Sequence, residues 1–200
     1  MRITRREFFK LFAEGVAALG ILRVASLISP TGQTVIVRPP GAVDENWFNH
    51  LCVRCGICLE VCPTNAIVLV GLESGAGAVN TPKIDPLVGP CEFFRGRCDE
   101  VMQCSKFCPT GALQLVDKEE AKMGTVDFDP GRCLAYMAKE CVVCYEMCPV
   151  PDAIALTSDL KPEFDGGRCV GCGICVHACP ADPKALDLSA EGAKRAMWLR

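Results

Sequence analysis

Apolar positions along this chain recur in short runs keyed to Cys-Pro pairs. After each of four such pairs come alanine and a branched aliphatic residue: Ala66-Ile67, Ala112-Leu113, Ala153-Ile154 and Ala185-Leu186. Before three of the cysteine groups stands an apolar residue followed by aspartate: Ile84-Asp85, Phe128-Asp129 and Phe164-Asp165. Each unit therefore reads as a short strand, a cysteine loop, a short helix and a second short strand. The expectation is an α+β repeat with little regular structure in each unit.

The N-terminus breaks this pattern. Thr4-Arg5-Arg6-Glu7-Phe8-Phe9-Lys10 fits the twin-arginine export signature at every fixed position. A weakly apolar stretch follows over residues 11–29, interrupted by Gly15 and Gly20. As a membrane span it would place Glu14 and Arg23 in lipid. Residues 1–29 are thus expected to be a receptor-read signal, or a retained anchor, and to lie outside the fold. This route carries folded proteins. Residues 30–50 read as a lead-in segment.

Composition narrows the chemistry. The 200 residues include 16 cysteines but only two histidines, so a site built from several imidazoles is excluded. The formal net charge is −3, and residues 1–30 contribute five basic groups against two acids. The remaining body is acidic, with 16 basic and 22 acidic side chains. No basic run follows residue 10, so nucleic acid is not expected as a partner.

The cysteines fall into four groups of four with none left over. The first is Cys52, Cys55, Cys58 and Cys62; the second Cys91, Cys98, Cys104 and Cys108. The third is Cys133, Cys141, Cys144 and Cys148; the fourth Cys169, Cys172, Cys175 and Cys179. Every group ends in Cys-Pro. The first and fourth match the bacterial [4Fe–4S] run, C-x2-C-x2-C-x3-C-P, in which the last cysteine ligates the other cluster of a pair. Two-residue gaps let three thiolates converge from one tight loop, and proline suits the first helical turn that follows. Disulfides do not require this spacing. Zinc pairs would leave the third cysteine of each run unexplained. The sixteen thiolates are therefore the expected iron ligands of four [4Fe–4S] clusters. The second group, with gaps of six and five, is the one whose cluster type is left open.

Arg38-Pro39-Pro40-Gly41-Ala42, the run Cys52-Val53-Arg54-Cys55-Gly56-Ile57-Cys58 and the long first gap after Cys133-Leu134-Ala135-Tyr136 carry a resemblance. From about residue 37 the chain resembles the ferredoxin-type proteins of periplasmic nitrate reductase and methylamine utilisation systems, the NapG/MauM type. It is more distantly similar to the four-cluster electron-transfer subunits of the dimethyl sulfoxide reductase family. The resemblance implies an α+β fold of tandem bacterial ferredoxin-like dicluster modules. It implies a periplasmic polyferredoxin, not itself an enzyme. Electrons would pass from a membrane iron–sulfur quinol-oxidising protein to a periplasmic reductase or cytochrome. The alternative is a stoichiometric beta-type subunit of a molybdenum oxidoreductase.

In the dimethyl sulfoxide reductase relatives the groups pair in nested order, first with fourth and second with third. Carried over, that implies an outer module from 51–79 with 150–188 and an inner module over 80–149. Cys179 would then join Cys52, Cys55 and Cys58, and Cys62 would join Cys169, Cys172 and Cys175. Cys148 would join Cys91, Cys98 and Cys104, and Cys108 would join Cys133, Cys141 and Cys144. The glycine-bearing stretch 71–82 would be the crossing between modules. Sequential pairing, first with second and third with fourth, is the rival.

Nothing else looks catalytic. His50 and His177 are single, and His177 is expected to pack or face solvent although it lies between two cysteines. Lys118, Glu119, Glu120 and Lys122 read as a solvated turn or helix face. Trp47 and Phe48 are expected over the first cysteine loop, with ordinary core residues as the alternative. Residues 189–200 read as a C-terminal tail helix anchored by Trp198.

Overall fold

The structure, a computed structural model, describes residues 36–99 and 101–197. The expected signal or anchor, 1–29, and Trp198 lie outside the described residues. No helix among the described residues is long and apolar enough to cross a membrane.

Two ferredoxin-like modules follow one another along the chain. The first, over 36–117, contains helix α1 (Glu45–Leu51), helix α2 (Ile57–Glu60), strands β1 (Ile67–Leu69) and β2 (Pro82–Ile84), and helix α3 (Gln103–Lys106). The second, over 123–190, contains strand β3 (Thr125–Phe128), helix α4 (Val143–Met147), strands β4 (Ile154–Leu156) and β5 (Pro162–Phe164), helix α5 (Ile174–Ala178) and strand β6 (Leu186–Ser189). Helices of four to seven residues and strands of three or four do not persist alone. Their apolar faces instead close over the cysteines, which are themselves part of the core.

The modules repeat one plan. In each, an inner hairpin follows the first Cys-Pro: Ile67 faces Ile84 and Leu69 faces Pro82, as Ile154 faces Phe164 and Leu156 faces Pro162. These are the Ala-Ile and apolar-Asp positions of the sequence repeat. In each, the chain on either side of the hairpin pairs at the outer edge. Module two does so with a full ladder, β3 against β6, from Thr125–Ser189 to Phe128–Leu186. Module one has only the bridge Ala42–Leu113. Gly41 permits it: its backbone has φ of +77°, and a Cβ there would sit 1.9 Å from the Gln114 carbonyl oxygen.

The first module is anchored by side chains instead. Arg38 is fully buried, with its guanidinium 4.4 Å from the Phe48 ring centroid. Its Nη1 donates to Thr81 Oγ1 and to the Pro82 carbonyl, both at 2.7 Å. Its Nε donates to Glu45 Oε2 at 3.0 Å, and its Nη2 to Glu45 Oε1. A buried cation so fully paired ties the lead-in, α1 and β2 together. Asp44 caps α1 by accepting from the Asn46 N–H.

This order corrects the nested expectation. Residues 51–79 do not join 150–188, and 80–149 is not an inner module. The stretch 71–82 runs through the loop between β1 and β2 to the first residue of β2, and is not a crossing between modules. The boundary lies at the charged run 117–122, whose Lys118, Glu119, Glu120 and Lys122 are expected as a solvated turn or helix face. Much of the segment 30–50 is not a lead-in but the first outer edge and α1. The tail also differs from expectation. Over the described residues 190–197 it forms a turn and then extended chain, not a helix. The Ala196 N–H donates to the Ala42 carbonyl at 2.9 Å, in a parallel bridge beside Val43. With glycine at 192 and no apolar stripe of helical period, this tail finds its hydrogen bonds by extending the weak outer edge of module one.

Candidate metal centres

All sixteen cysteines gather into four sets of four around small apolar cavities. Site I takes Cys52, Cys55, Cys58 and Cys108, around about 410 Å³ lined also by Phe48, Ile57 and Leu69. Site II takes Cys62, Cys91, Cys98 and Cys104, around about 360 Å³ lined also by Phe93 and Met102. Site III takes Cys148, Cys169, Cys172 and Cys175, around about 340 Å³ with Val126, Ile154 and Phe164. Site IV takes Cys133, Cys141, Cys144 and Cys179, around about 350 Å³ with Phe128, Leu134 and Leu186.

Every site thus receives three thiols from one group and the Cys-Pro thiol of the other group in the same module. The pairing is first with second and third with fourth. Cys108 goes to site I where nesting placed Cys179, and Cys62 goes to site II where nesting placed it with the fourth group. Cys148 and Cys179 exchange within module two. The physical reason is local. The short helices α2 and α3, and likewise α4 and α5, lie side by side in one module, so each Cys-Pro reaches across to its immediate neighbour.

The second group makes the same arrangement as the rest despite its long gaps. Its extra residues form a 3-10 turn, Glu92–Arg95, closed by Gly96 at φ of +75°. Phe93 is buried, and Phe94 meets it edge-on at 5.5 Å between centroids. Glu92, buried, pairs with Arg97 at 3.0 Å. Arg95 crosses to module two and donates to the Met147 carbonyl at 2.7 Å. The insertion therefore serves the contact between modules and leaves the thiol set intact.

The thiols are placed for a cationic cluster. None forms a disulfide. Among the described residues no three ligating side chains close around a single metal ion, as the short bonds of a zinc site would demand. Burial pushes the Cys58 thiol up to about 12, with Cys52, Cys55 and Cys108 adding to the shift. Burial likewise raises Cys104 and Cys172 to about 12 and Cys144 to about 11. Four such thiolates in one apolar hole repel each other, so a compensating positive charge must enter as the protons leave. The donor set, the apolar lining and this electrostatic demand all fit an iron–sulfur cubane.

Thiols of neighbouring sites act on one another. Cys58 of site I adds to the upward shift of Cys104 in site II. Cys172 of site III does the same to Cys91 in site II, after burial and Cys104. Cys144 of site IV does so to Cys175 in site III. Site II thus neighbours site I and site III, and site III neighbours site IV. Cys55, in site I, is the one exposed thiol among the sixteen. It stands beside Val53, which is 61% exposed.

The other candidates sort simply. Phe48 covers site I as expected, whereas Trp47 is exposed at 46% and does not line the cavity. His50 is exposed, and exposed His177 points Nδ1 at the Pro86 carbonyl, 2.8 Å away. The carbonyl only accepts, so the imidazole donates. Sequence reasoning quoted Arg38 as part of a motif and missed its buried anchoring role. Its sequence signal is a lone arginine inside an otherwise apolar run, Val35 to Ala42.

Comparisons with known proteins agree with this geometry. Residues 46–68 and 160–181 each match a 4Fe-4S binding domain family. Ferredoxin-type protein NapG of Escherichia coli (strain K12) is 34% identical over 202 residues, covering 92% of this chain and 84% of that protein. Ferredoxin-type protein NapG of Haemophilus influenzae is 36% identical, covering 92% of this chain and 71% of that protein. Methylamine utilization ferredoxin-type protein MauM of Paracoccus denitrificans is 34% identical, covering 98% of this chain and 94% of that protein. Two modules of converging thiols, and likeness at this level along nearly the whole length, lead to one conclusion: the chain belongs to the NapG/MauM family of ferredoxin-type [4Fe–4S] electron-transfer proteins.

Proposed function

We propose that this chain is a periplasmic polyferredoxin that binds four [4Fe–4S] clusters and relays electrons between two redox partners. The supporting observation is the set of four equivalent four-thiol sites, which accounts for every cysteine. A [4Fe–4S] cluster supplies a one-electron couple. The protein's part is to hold, insulate and tune. Apolar walls exclude water from each site. The Leu113 N–H donates to Cys108 Sγ at 3.5 Å, with Thr110 Oγ1 3.8 Å from the same sulfur. Hydrogen bonds to ligand sulfurs set reduction potential.

The donor in this reading is a membrane iron–sulfur protein that oxidises quinol, and the acceptor is a periplasmic reductase or cytochrome. Residues 1–29 direct export by the twin-arginine route and either are removed or hold the protein at the membrane.

Anaerobic purification from solubilised membranes, with iron analysis and identification of bound partners, tests this. The expectation is about 16 iron and 16 sulfide per chain, with a polytopic iron–sulfur membrane protein bound and no molybdenum subunit. About 12 of each removes one cluster from the relay. A catalytic molybdenum subunit at one-to-one ratio overturns the free-carrier reading.

A further inference from the structure

Polar contacts between the modules converge on the two thiol sites that face each other across the boundary. The Cys91 N–H donates to the Cys172 carbonyl at 2.9 Å. Cys91 belongs to site II and Cys172 to site III. The loop that leads to Cys91 is seated on module two by buried Pro86, whose carbonyl accepts from His177. Arg95, just past Cys91, bonds the Met147 carbonyl next to Cys148 of site III. Opposite Pro86 stands Gly173, with φ of +75°. A Cβ on Gly173 would fall 2.7 Å from Pro86 Cβ, closer than packed carbons approach.

We propose that the Cys91–Cys172 hydrogen bond is the electronic bridge between the modules, and that Gly173 and Pro86 are the positioning residues that set its length. This rests on the reading of the chain as an electron carrier. From Cys91 Sγ the path runs through its own Cβ, Cα and N–H to the Cys172 carbonyl, and on through Cα and Cβ to the Cys172 thiolate. One hydrogen bond is its sole non-covalent link. One electron is lost on one side of the boundary and gained on the other. No bond breaks, and the proton stays on the Cys91 nitrogen. At sites I and IV, by contrast, no thiol has such a link to the opposite module among the described residues.

The test uses the full-length, cluster-loaded protein and the variants G173A, G173A/P86G and P86F. Three quantities are read: iron per chain, magnetic broadening between the site II and site III clusters in the reduced protein's EPR spectrum, and the rate of internal electron equilibration after pulsed reduction. G173A is expected to keep its iron, show weaker site II–site III broadening and equilibrate several-fold more slowly. Removing the Pro86 ring in G173A/P86G relieves the contact and recovers part of both, the strain of alanine at a φ of +75° remaining, which a merely structural role for Gly173 does not predict. P86F enlarges the same contact from module one and reproduces the slow phenotype, so the proposal stays testable should G173A shed iron. Full iron with unchanged broadening and rate in G173A or P86F overturns the bridge. So does a loaded G173A/P86G protein that equilibrates no faster than G173A. A wild-type chain that takes up no reducible iron overturns the electron-carrier reading itself, and the bridge with it.

Discussion

The two modules solve one problem by different means. Module two closes its outer edge with a four-residue ladder, β3 against β6, and joins β4 to β5 with a tight turn in which the Thr157 N–H donates to the Lys161 carbonyl at 3.0 Å. Module one has a single outer bridge and a twelve-residue loop, 70–81, between β1 and β2. It gains its missing cohesion from Arg38 and from the returning tail. Backbone pairing and side-chain anchoring thus substitute for each other around the same thiol geometry. Both modules devote their cores to cysteine, so neither has many apolar contacts to spare.

The largest expected effect breaks the anchored module selectively. Arg38→Ala leaves the Glu45 carboxylate and Thr81 without their partner, and breaking a buried pair of this kind costs about 3–5 kcal/mol. Partial exposure of Glu45 places the value at the lower end, about 3 kcal/mol. Denaturant titration of the loaded protein, followed by loss of cluster absorbance, is expected to show sites I and II released before III and IV. Simultaneous release of all four would show that the modules do not differ in this way.

A smaller effect sharpens the role of the tail. Ala196→Pro removes the N–H that reaches Ala42, a loss of about 1 kcal/mol for one hydrogen bond. The same titration is expected to move only the early, module-one transition. The smallest effect concerns tuning. The residue two places after each Cys-Pro cysteine is Thr64 or Thr110 in module one, and Val150 or Ala181 in module two. Thr64 spends its hydroxyl proton on the Pro90 carbonyl at 2.8 Å, which leaves Thr110 as the side-chain donor to Cys108. A hydroxyl donating to a thiolate favours the reduced, more negative state. Thr110→Val is therefore expected to lower the midpoint potential of site I alone, with stability unchanged. Redox titration monitored by EPR checks this.

Much of this was legible in the sequence, for a physical reason. A cubane needs thiolates at fixed short spacings, so the four cysteine groups and the strand–loop–helix repeat are visible at once. The pairing of groups is not. Spacing reports how three thiols reach one cluster and says nothing about which neighbour supplies the fourth. The identical spacing of the first and fourth groups invited nesting, although each belongs to a different module. The informative signal was the charged run Asp117 to Lys122, which lies between the second and third groups and marks the boundary. Arg38 was equally hard to read, because a buried arginine looks like any other until Glu45, Thr81 and Phe48 close around it. The tail escaped prediction because its partner, the free edge at Ala42 and Val43, exists only once module one has folded.

Sequential pairing is the centre of this account, and non-additivity tests it directly. Cys62→Ser, Cys98→Ser and Cys169→Ser, with the doubles C62S/C98S and C62S/C169S, are compared by iron content and EPR. Residues that hold one cluster fail together, whereas residues of different clusters add. The account predicts that C62S/C98S loses no more than either single variant, about four iron per chain, while C62S/C169S loses about twice that. A C62S/C169S protein that loses only one cluster, with C62S/C98S losing two, would contradict it and restore the nested order.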